Sequence, residues 1–452
     1  MLSAFALLAF MMLCMLALKK PHWAGVLVLS YIGYEQLLTS YYSELARNSW
    51  LLNVVAGTTV LISVFVSMIS RQRPTLGYFN TNCILVWCLY ALAIFGISYS
   101  MMPAAGIYFV KKGLPTTILM VFLLPLVINS WEVLKKMSVP IMIMGSFLIV
   151  MIIISPRTEI YGSRLFIDLS YTTGSSNGRG NPLAVAEVGG YVMLFAALYE
   201  PPKTGALIGI LRLGSFILGA LIAFLVGSRG QLVFALFFSV MLYPLAHQVR
   251  DIKQFFVRAA SAGFSLLVIA VVGKIAFSGS VSSNRFTASD VSEGIAGRLY
   301  FAKELLGEYA RNPANYLQGI GTGSFNAVVK HDGDGYLYPH NIIVEVLAHH
   351  GLIGLSLLIG IFIATGLHML KALKLARSGL VDRSSAAIML SLVFYTTMLA
   401  MKQGSFVLIP LPFFTYLMLS KLVTRECRSE ALYWHEEEMI HDDQPYGEPG
   451  YS

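Results

Sequence analysis

Charged residues are scarce in this chain. Only 12% of its 452 residues are Asp, Glu, Lys or Arg, whereas 56% are hydrophobic. A soluble domain of ordinary composition carries about 25% charged residues. The deficit excludes an ordinary water-soluble enzyme, a disordered chain and a nucleic-acid-binding protein. It leaves a polytopic membrane protein as the class that fits the composition.

Cysteine is scarce as well. Cys14, Cys83 and Cys88 lie in apolar runs, and Cys427 lies near the C-terminus. Because no cysteine lies in a polar loop and no zinc-binding spacing is present, the sequence indicates neither a disulfide framework nor a metal site. The first apolar run has no basic segment before it and no cleavage site after it, so it does not resemble a signal peptide.

Apolar runs of membrane-spanning length make up most of the sequence. Charged or turn-forming residues separate them, and the pattern predicts about thirteen helices in an all-α polytopic membrane protein. We expect one transmembrane domain over 1–424. The predicted helices are 2–18, 23–40, 50–69, 83–102, 115–130, 138–154, 183–199, 205–227, 230–246, 259–277, 342–369, 385–401 and 405–422.

Basic residues are distributed unequally between the two sets of connections. One set carries 17 Lys and Arg, and the short connections of the other set carry seven. Because cytoplasmic connections carry the excess of basic residues, the first set is predicted to lie inside. Loops 155–182 and 278–340 are then outside, and an odd helix count puts the N-terminus outside as well. The tail 425–452 is acidic, and we expect it to be disordered and cytoplasmic.

Arg229 separates two apolar runs within Gly227-Ser228-Arg229-Gly230. The predicted orientation puts it at the outer membrane face. In one interpretation it is an interface arginine that reaches lipid phosphate. In the other, its planar guanidinium binds a diphosphate through paired hydrogen bonds, and the neighbouring Ser and Gly let the phosphate approach the backbone.

Arg298 opens an amphipathic helix predicted at about 296–310, which ends before Asn312-Pro313. A solvated position on the helix face is the simpler interpretation. A helix that is apolar on one side is also expected to lie on the membrane plane or on top of the bundle. In that case Arg298 approaches the same outer surface as Arg229.

His340 follows a proline and precedes Asn341, a good N-cap for the eleventh predicted helix. It is either a histidine bonded within the helix cap or a general base. The second interpretation rests on three points: a helix N-terminus favours anions, a histidine can take a proton from a sugar hydroxyl near neutral pH, and the site faces outward. The helix dipole is expected to lower the pKa of His340 and keep it neutral.

Several other polar residues interrupt the apolar pattern. The repeat Gly319-x-Gly-x-Gly323 lacks the Lys-Ser/Thr of a phosphate-binding loop, so we interpret it as a tight connection only. Ionisable residues within the apolar runs are expected to face the bundle interior or a water-filled cavity, and Glu345 suits the first turn of its helix. They are Glu187, Arg212, Lys274, Glu345, His349 and His350.

These segments occur in an order that resembles the O-antigen ligase/polymerase superfamily. The matching segments are Gly227-Ser-Arg-Gly230, Arg298-Leu-Tyr-Phe-Ala-Lys-Glu, Leu317-Gln-Gly-Ile-Gly-Thr-Gly-Ser-Phe325, Tyr338-Pro-His-Asn341 and His350-Gly-Leu-Ile-Gly-Leu355. The resemblance covers about 205–370. It implies a GT-C-like membrane glycosyltransferase with 12–13 transmembrane helices and a long periplasmic loop that carries short helices.

The resemblance also implies an activity. Such an enzyme transfers a glycan from undecaprenyl diphosphate to an acceptor sugar hydroxyl, at the periplasmic face of the bacterial inner membrane. The transfer is expected to be inverting, metal-independent and free of cofactors. Arg229 and Arg298 would hold the donor diphosphate, and His340 would activate the acceptor. Further substrate contacts are predicted for Arg164, Arg179, Asn341 and Glu345.

The form of the Tyr-Pro-His-Asn motif and the compact loop favour a polymerase of repeat units over a ligase to lipid A-core. A ligase of the family usually has twelve spans with both ends inside. Expected partners are the lipid-linked donor, the lipid-linked or lipid A-core acceptor glycan, and chain-length regulator and flippase proteins. A flippase of lipid-linked glycan is the alternative from another class, for which inverted repeats and interrupted helices are expected; no repeat is apparent in the sequence.

Overall fold

Helices dominate the chain, as its apolar composition predicts. The computed structural model describes residues 1–442 apart from 71–74, 76, 162–163, 170–177, 204, 248–250, 252, 254–255, 257–287, 330–338, 404 and 409–410. Two short strands are the exception to the helical architecture in this described part of the chain. The prediction of an all-α polytopic membrane protein is therefore confirmed.

The helices are numbered here in chain order. The first group is α1 (Leu2–Lys19), α2 (Pro21–Tyr41), α3 (Ser43–Arg47), α4 (Trp50–Ile69), α5 (Thr81–Phe95), α6 (Pro103–Thr116), α7 (Leu124–Val127), α8 (Trp131–Lys136) and α9 (Ser138–Ile153). The second group is α10 (Pro182–Leu198), α11 (Ala206–Leu225), α12 (Arg229–Ala246), α13 (Ala288–Arg311), α14 (Asn315–Gln318), α15 (Phe325–Val328), α16 (Ile342–Ser378), α17 (Arg383–Ala400) and α18 (Leu411–Asp442).

Eight helices of the described part are long and apolar enough to cross a membrane. Two shorter apolar helices, α5 and α10, run alongside them. Among the described residues, fewer helices meet the length and composition of a membrane span than the thirteen that were predicted. The predicted span 259–277, with Lys274, lies outside the described residues.

The fifth predicted span, 115–130, is wrong at its start. The helix begins at Pro103, where a proline is compatible with the first turn because its missing N–H has no helical partner. It continues through a π-helical segment, Thr117–Leu123, into α7. Pro115 precedes this wide turn, because proline cannot donate the helical hydrogen bond at that point. Lys111 and Lys112 thus lie on a helix, not in an outer connection.

The C-terminal segment also differs from the expectation. Helix α18 continues to Asp442, whereas we expected disorder from 425 onward. Glu is the most frequent residue in this stretch, and it is a good helix former. Its propensity accounts for a helix where the acidic composition indicated disorder. Residues 443–452 lie outside the described part.

Contacts between connections define two ends of the bundle. At one end, the Asn341 side-chain amide donates to the Met401 carbonyl at 3.3 Å, linking the start of α16 to the end of α17. At the other end, Lys135 forms an ion pair with Asp382 at 2.6 Å. The two connections that meet at the first end, before α16 and after α17, were both predicted to lie outside. The two that meet at the second end, at Lys135 and at Asp382, were both predicted to lie inside.

A β-hairpin follows α9 at the first end. Strands β1 (Thr158–Tyr161) and β2 (Arg164–Ile167) pair antiparallel, with Thr158 opposite Ile167. The returning chain packs on α2 so closely that a Cβ at Gly180 would lie 2.6 Å from the Gln36 side-chain oxygen. The hairpin therefore caps the C-terminal end of α2.

Helix α16 is broken near its N-terminal end, where a segment from the long loop packs against it. Gly351 has non-helical dihedral angles (φ 60°, ψ −156°). The amides of Ile320 and Gly321 donate to the carbonyls of Ala348 and His349, each at 2.9 Å. These loop amides satisfy carbonyls that the break removes from the helical pattern. The interpretation of the glycine repeat as a tight connection agrees with this geometry.

Candidate functional site

His340 lies in the connection that leads into α16. Its side chain is half-buried, and its φ of +59° is positive, a conformation uncommon for residues other than glycine. Strained residues of this kind tend to occur at functional sites, where the surrounding structure holds them in place. The side chain is therefore held in a defined position at the first end of the bundle.

Asn341 fixes this connection to two helices. Its side-chain oxygen accepts from the amides of Ile343 and Val344 at 3.0 and 3.1 Å, which confirms the predicted N-cap of α16. Its amide nitrogen donates to the carbonyl of Met401. The substrate contact predicted for Asn341 is not tested by these bonds and stays a prediction.

Electrostatics keep the His340 ring neutral. Burial, followed by the positive charges of Arg298 and Lys402, lowers its pKa to about 4. The expectation of a lowered pKa agrees with this value, but the cause differs. Burial and two nearby cations account for it, whereas the sequence interpretation relied on the helix dipole. The neutral ring can accept a proton at physiological pH.

Lys402 connects His340 to the start of α12. Its ammonium group donates to the side-chain oxygen of Gln231 at 3.4 Å. A Cβ at Gly230 would lie 2.5 Å from the Lys402 nitrogen, so the lysine stem runs directly over this glycine. Since Gly230 follows Arg229, the lysine lies beside the segment that carries the first predicted diphosphate ligand.

Buried polar side chains hold this part of the site in place. The Ser228 hydroxyl donates to the Gln231 side-chain oxygen, and the Gln231 amide donates to the Gln403 side-chain oxygen at 2.7 Å. All three residues are buried. Sequence reasoning did not identify Gln231, Gln403 or Lys402 as site residues. Glutamines within an otherwise apolar run were the signal that could have indicated them.

The two predicted diphosphate ligands occupy different elements. Arg229 is the first residue of α12 and is half-buried. Arg298 lies on α13 and is exposed. Leu305 of α13 packs with Ile320, Phe325 and Ala348 in a small apolar cluster, and this contact anchors the helix to the bundle. The structure brings Arg298 close to His340, while Lys402 links His340 to the helix start at Arg229.

Glu345 has a structural position. It is buried, with a side chain only 2% exposed. Its carboxylate accepts from the Ser405 hydroxyl and from the Phe406 amide, the latter at 3.1 Å. It thereby holds the chain that follows α17 against α16. The substrate contact predicted for Glu345 stays a prediction, and its observed bonds do not require one.

Arg179 and Arg164 belong to the hairpin region. The Arg179 guanidinium pairs with Glu159 at 3.0 Å and lies 3.6 Å from the centre of the Tyr161 ring. Arg164 lies opposite Tyr161 in the strand pairing. Arg179 thus has protein partners of its own, and the substrate contacts predicted for both arginines stay predictions.

The ionisable residues of the apolar runs face the interior, as expected. Glu187, His349 and His350 are buried. His349 accepts from the Phe325 amide at 3.3 Å, and Arg212 donates to the Ala196 carbonyl at 3.0 Å. Within the described ranges, no group of three or more His, Cys, Asp and Glu side chains could hold a metal ion. Among the described residues, the charges that act on His340 are those of two cations, Arg298 and Lys402, which suit an anionic ligand.

The fold and site define a class: a multi-pass membrane protein whose bundle carries cations around a neutral histidine at one end. Residues 214–359 match the family model described as O-Antigen ligase. This match supports the O-antigen ligase/polymerase superfamily that the motifs indicated, and the family indicates ligase- or polymerase-type activity of a membrane glycosyltransferase. The matched segment runs from α11 into α16 and includes Arg229, Arg298 and His340. No curated protein shows significant sequence similarity to the chain.

Proposed function

We propose that the protein transfers a glycan from undecaprenyl diphosphate to an acceptor sugar hydroxyl and thereby polymerises repeat units of a surface polysaccharide or exopolysaccharide. The observation that carries this proposal is the position of His340. A neutral, half-buried histidine lies within the charge field of Arg298 and Lys402, inside the segment that matches O-Antigen ligase. The reaction takes place at the periplasmic face of a bacterial inner membrane.

The arginines suit the donor. A diphosphate presents several acceptor oxygens, and a guanidinium fork can bind two of them at once. Arg229 and Arg298 fill this role in the proposed reaction. The helix start at Arg229 adds backbone N–H groups that favour an anion.

The histidine suits the acceptor. The acceptor hydroxyl attacks the anomeric carbon from the face opposite the diphosphate, and the bond from that carbon to the diphosphate oxygen breaks. The hydroxyl proton passes to His340, and the electron pair of the broken bond leaves with undecaprenyl diphosphate. Because the attack comes from the opposite face, the proposed transfer inverts the anomeric centre. Cations stabilise the charge that develops on the leaving group, so the proposed reaction needs neither a metal nor a cofactor.

Donor binding would also strengthen the base. Before the donor binds, His340 has a pKa of about 4. It is then a weak proton acceptor, because general bases work best with a pKa near the working pH. A bound diphosphate places negative charge beside Arg298 and Lys402 and offsets their effect on the ring. The pKa of His340 therefore rises when the donor binds, which couples donor binding to activation of the acceptor.

Ligation to lipid A-core is a second candidate, favoured by the description of the matching family. It uses the same donor and the same chemistry, and it differs in the acceptor. Deletion of the gene distinguishes the two. Loss of polymer length on the lipid carrier indicates a polymerase, whereas full-length polymer that accumulates on the carrier indicates a ligase. Chain-length regulator and flippase proteins are the proposed partners of either enzyme.

His340→Ala tests the proposed chemistry. The variant is expected to insert normally and to transfer glycan on the order of 10²-fold more slowly, because a positioned base contributes ~10²–10⁴-fold. The assay uses purified membranes, lipid-linked donor and separation of the products by length. His368→Ala is the matched control, since His368 lies far along α16 and bonds to the Ala364 carbonyl. Near-normal transfer by His340→Ala would reduce His340 to a histidine of the helix cap.

A further inference from the structure

Lys402 lies outside the segment that matches the family model but between the two parts of the site. Its charge is one of those that lower the pKa of His340. Its nitrogen donates to Gln231, and its stem covers Gly230 beside Arg229. The lysine therefore contacts the start of α12 and acts on the histidine through its charge.

The position of Lys402 is fixed from several sides. Its own amide donates to the Leu399 carbonyl at 3.0 Å, at the end of α17. Asn341 holds the preceding carbonyl, that of Met401. Glu345 holds the chain a few residues later, at Ser405 and Phe406. Asn341 and Glu345, at the start of α16, thus hold the chain before and after Lys402. The backbone of Lys402 therefore has a fixed position in the site.

The side chain is fixed as well. Gln231 accepts from both Lys402 and Ser228 and donates to Gln403. Gln231 and Ser228 are almost fully buried, at 0% and 1% exposed. Buried polar groups that are hydrogen-bonded in this way give a side chain a single orientation. A long, flexible lysine gains an orienting partner for its charged end.

We infer that Lys402 is a third cation of the donor site and binds the diphosphate between His340 and the start of α12. The inference rests on the proposed function. In the donor, one phosphate carries the glycan and the other carries undecaprenol. When the glycosyl bond breaks, the diphosphate loses the glycan and gains a further negative charge. A third, fixed cation matches this gain better than the two arginines alone, because fixed charges stabilise charge that develops in the transition state.

Binding of undecaprenyl diphosphate to the detergent-purified full-length protein tests this role. Lys402→Met is expected to weaken binding roughly tenfold or more, since a hydrogen bond to a charged group is lost. Lys402→Arg keeps the charge and is expected to retain most of the affinity. Lys374→Met is the matched control, because Lys374 is exposed near the C-terminal end of α16, far from His340, and should leave binding unchanged. Equal amounts of each variant in the membrane show that they insert.

The outcomes separate the inference from the proposed function. If the wild-type protein does not bind undecaprenyl diphosphate, the proposed donor is wrong. If the wild-type protein binds and Lys402→Met binds equally well, the donor stands and the role of Lys402 is wrong. An altered pH profile of transfer with unchanged binding would also overturn the inference, because Lys402 would then act only by positioning and tuning His340.

Discussion

The protonation state of His340 depends on side chains that are distant in sequence. Arg298 precedes it on α13, and Lys402 follows it after α17. Both charges disfavour the imidazolium and add to the effect of burial. Because its pKa is lowered, the ring is neutral above about pH 4 and protonated below it. A reaction that needs the neutral base is therefore retained above this pH and lost as the pH falls through it.

This dependence predicts the acid side of the pH profile. The value of kcat/KM reports the free enzyme and is expected to fall as the pH drops through about 4. The value of kcat reports the complex and should fall at a higher pH, because bound diphosphate offsets the two cations. Arg298→Gln removes one cation and is expected to move the fall of kcat/KM to higher pH. Initial rates of glycan transfer across the acidic range measure both quantities.

Circular dichroism of each variant at the same pH values provides the control for unfolding. A kcat/KM profile that is identical for wild type and Arg298→Gln would contradict the electrostatic link between Arg298 and His340. A flat profile for the wild type, with folding intact, would show that His340 is not the base.

At the scale of single residues, the sequence draws attention to residues that belong to a motif, and it draws none to Lys402, which belongs to no motif. His340, Arg229 and Arg298 stand in short recognisable segments, and their interpretation needed no coordinates. Lys402 was counted only as a basic residue of an outer connection. Its proximity to Gly230 arises from the packing of α12 against α17, which no local pattern encodes.

Two elements, the broken helix α16 and the glycine segment, support each other. Gly319, Gly321 and Gly323 all have positive φ angles. At Gly321 a Cβ would lie 2.4 Å from the Ser100 Cα. A side chain at this position therefore meets both an unfavourable backbone conformation and a fixed neighbour. The segment is a packed part of the bundle, although it belongs to a loop in the sequence.

Gly321→Ala is expected to destabilise the protein. The left-handed conformation alone costs roughly 1–2 kcal/mol for a residue with a Cβ, and the contact with the Ser100 backbone adds to this. Thermal unfolding in detergent and the yield of purified protein measure the loss. Gly307→Ala is the control: Gly307 lies on α13 with open space around it. Alanine there is expected to be neutral, or to stabilise the helix by up to ~1 kcal/mol. Equal melting temperatures for the two variants would contradict the packing described for the glycine segment.

Helix positions were predictable where apolar runs end at clear turn residues, and less so elsewhere. Helices α4 and α12 agree with the expected ranges within about one residue. Helix α5 ends at Phe95, earlier than predicted, and the Gly96 carbonyl accepts from the Thr322 amide at 3.1 Å. The contact that accompanies this end comes from a residue more than two hundred positions away. Local hydropathy does not contain that information.

The break in α16 also bears on the alternative of a flippase. Interrupted helices in transporters often expose backbone groups that bind a substrate or an ion. Here the carbonyls of Ala348 and His349 at the break are occupied by amides of the glycine segment. The break therefore serves the internal packing of the chain. Its geometry favours a rigid N-terminal part of α16 over the mobile helix that a flippase would need.

At the scale of the whole molecule, the two ends of the bundle differ in their chemistry. The site of Arg298, His340 and Lys402 lies at the end that also carries the hairpin. The opposite end carries the Lys135–Asp382 pair and the connections with most of the basic residues. Without Lys111 and Lys112, which lie on α6, the short connections at the end with the site carry five Lys and Arg, against 17 in the other set. This excess indicates that the opposite end is cytoplasmic. The sequence thus predicts which connections share an end, and the direction of the bundle in the membrane remains a prediction.

Cysteine labelling in intact cells tests this direction. The background is a variant with the four native cysteines replaced, because Cys88 is exposed. Asn312→Cys reports the end with the site, and Lys203→Cys reports the opposite end; both positions are exposed. A thiol reagent that enters the periplasm but does not cross the inner membrane is expected to label the first variant at once and the second only after the membrane is opened. The positive-inside count is the reason for this expectation, and the presence of lipid-linked donors at the periplasmic face makes it necessary for the proposed reaction. The reverse pattern would place His340 and its cations in the cytoplasm and would overturn the proposed polymerase and ligase alike.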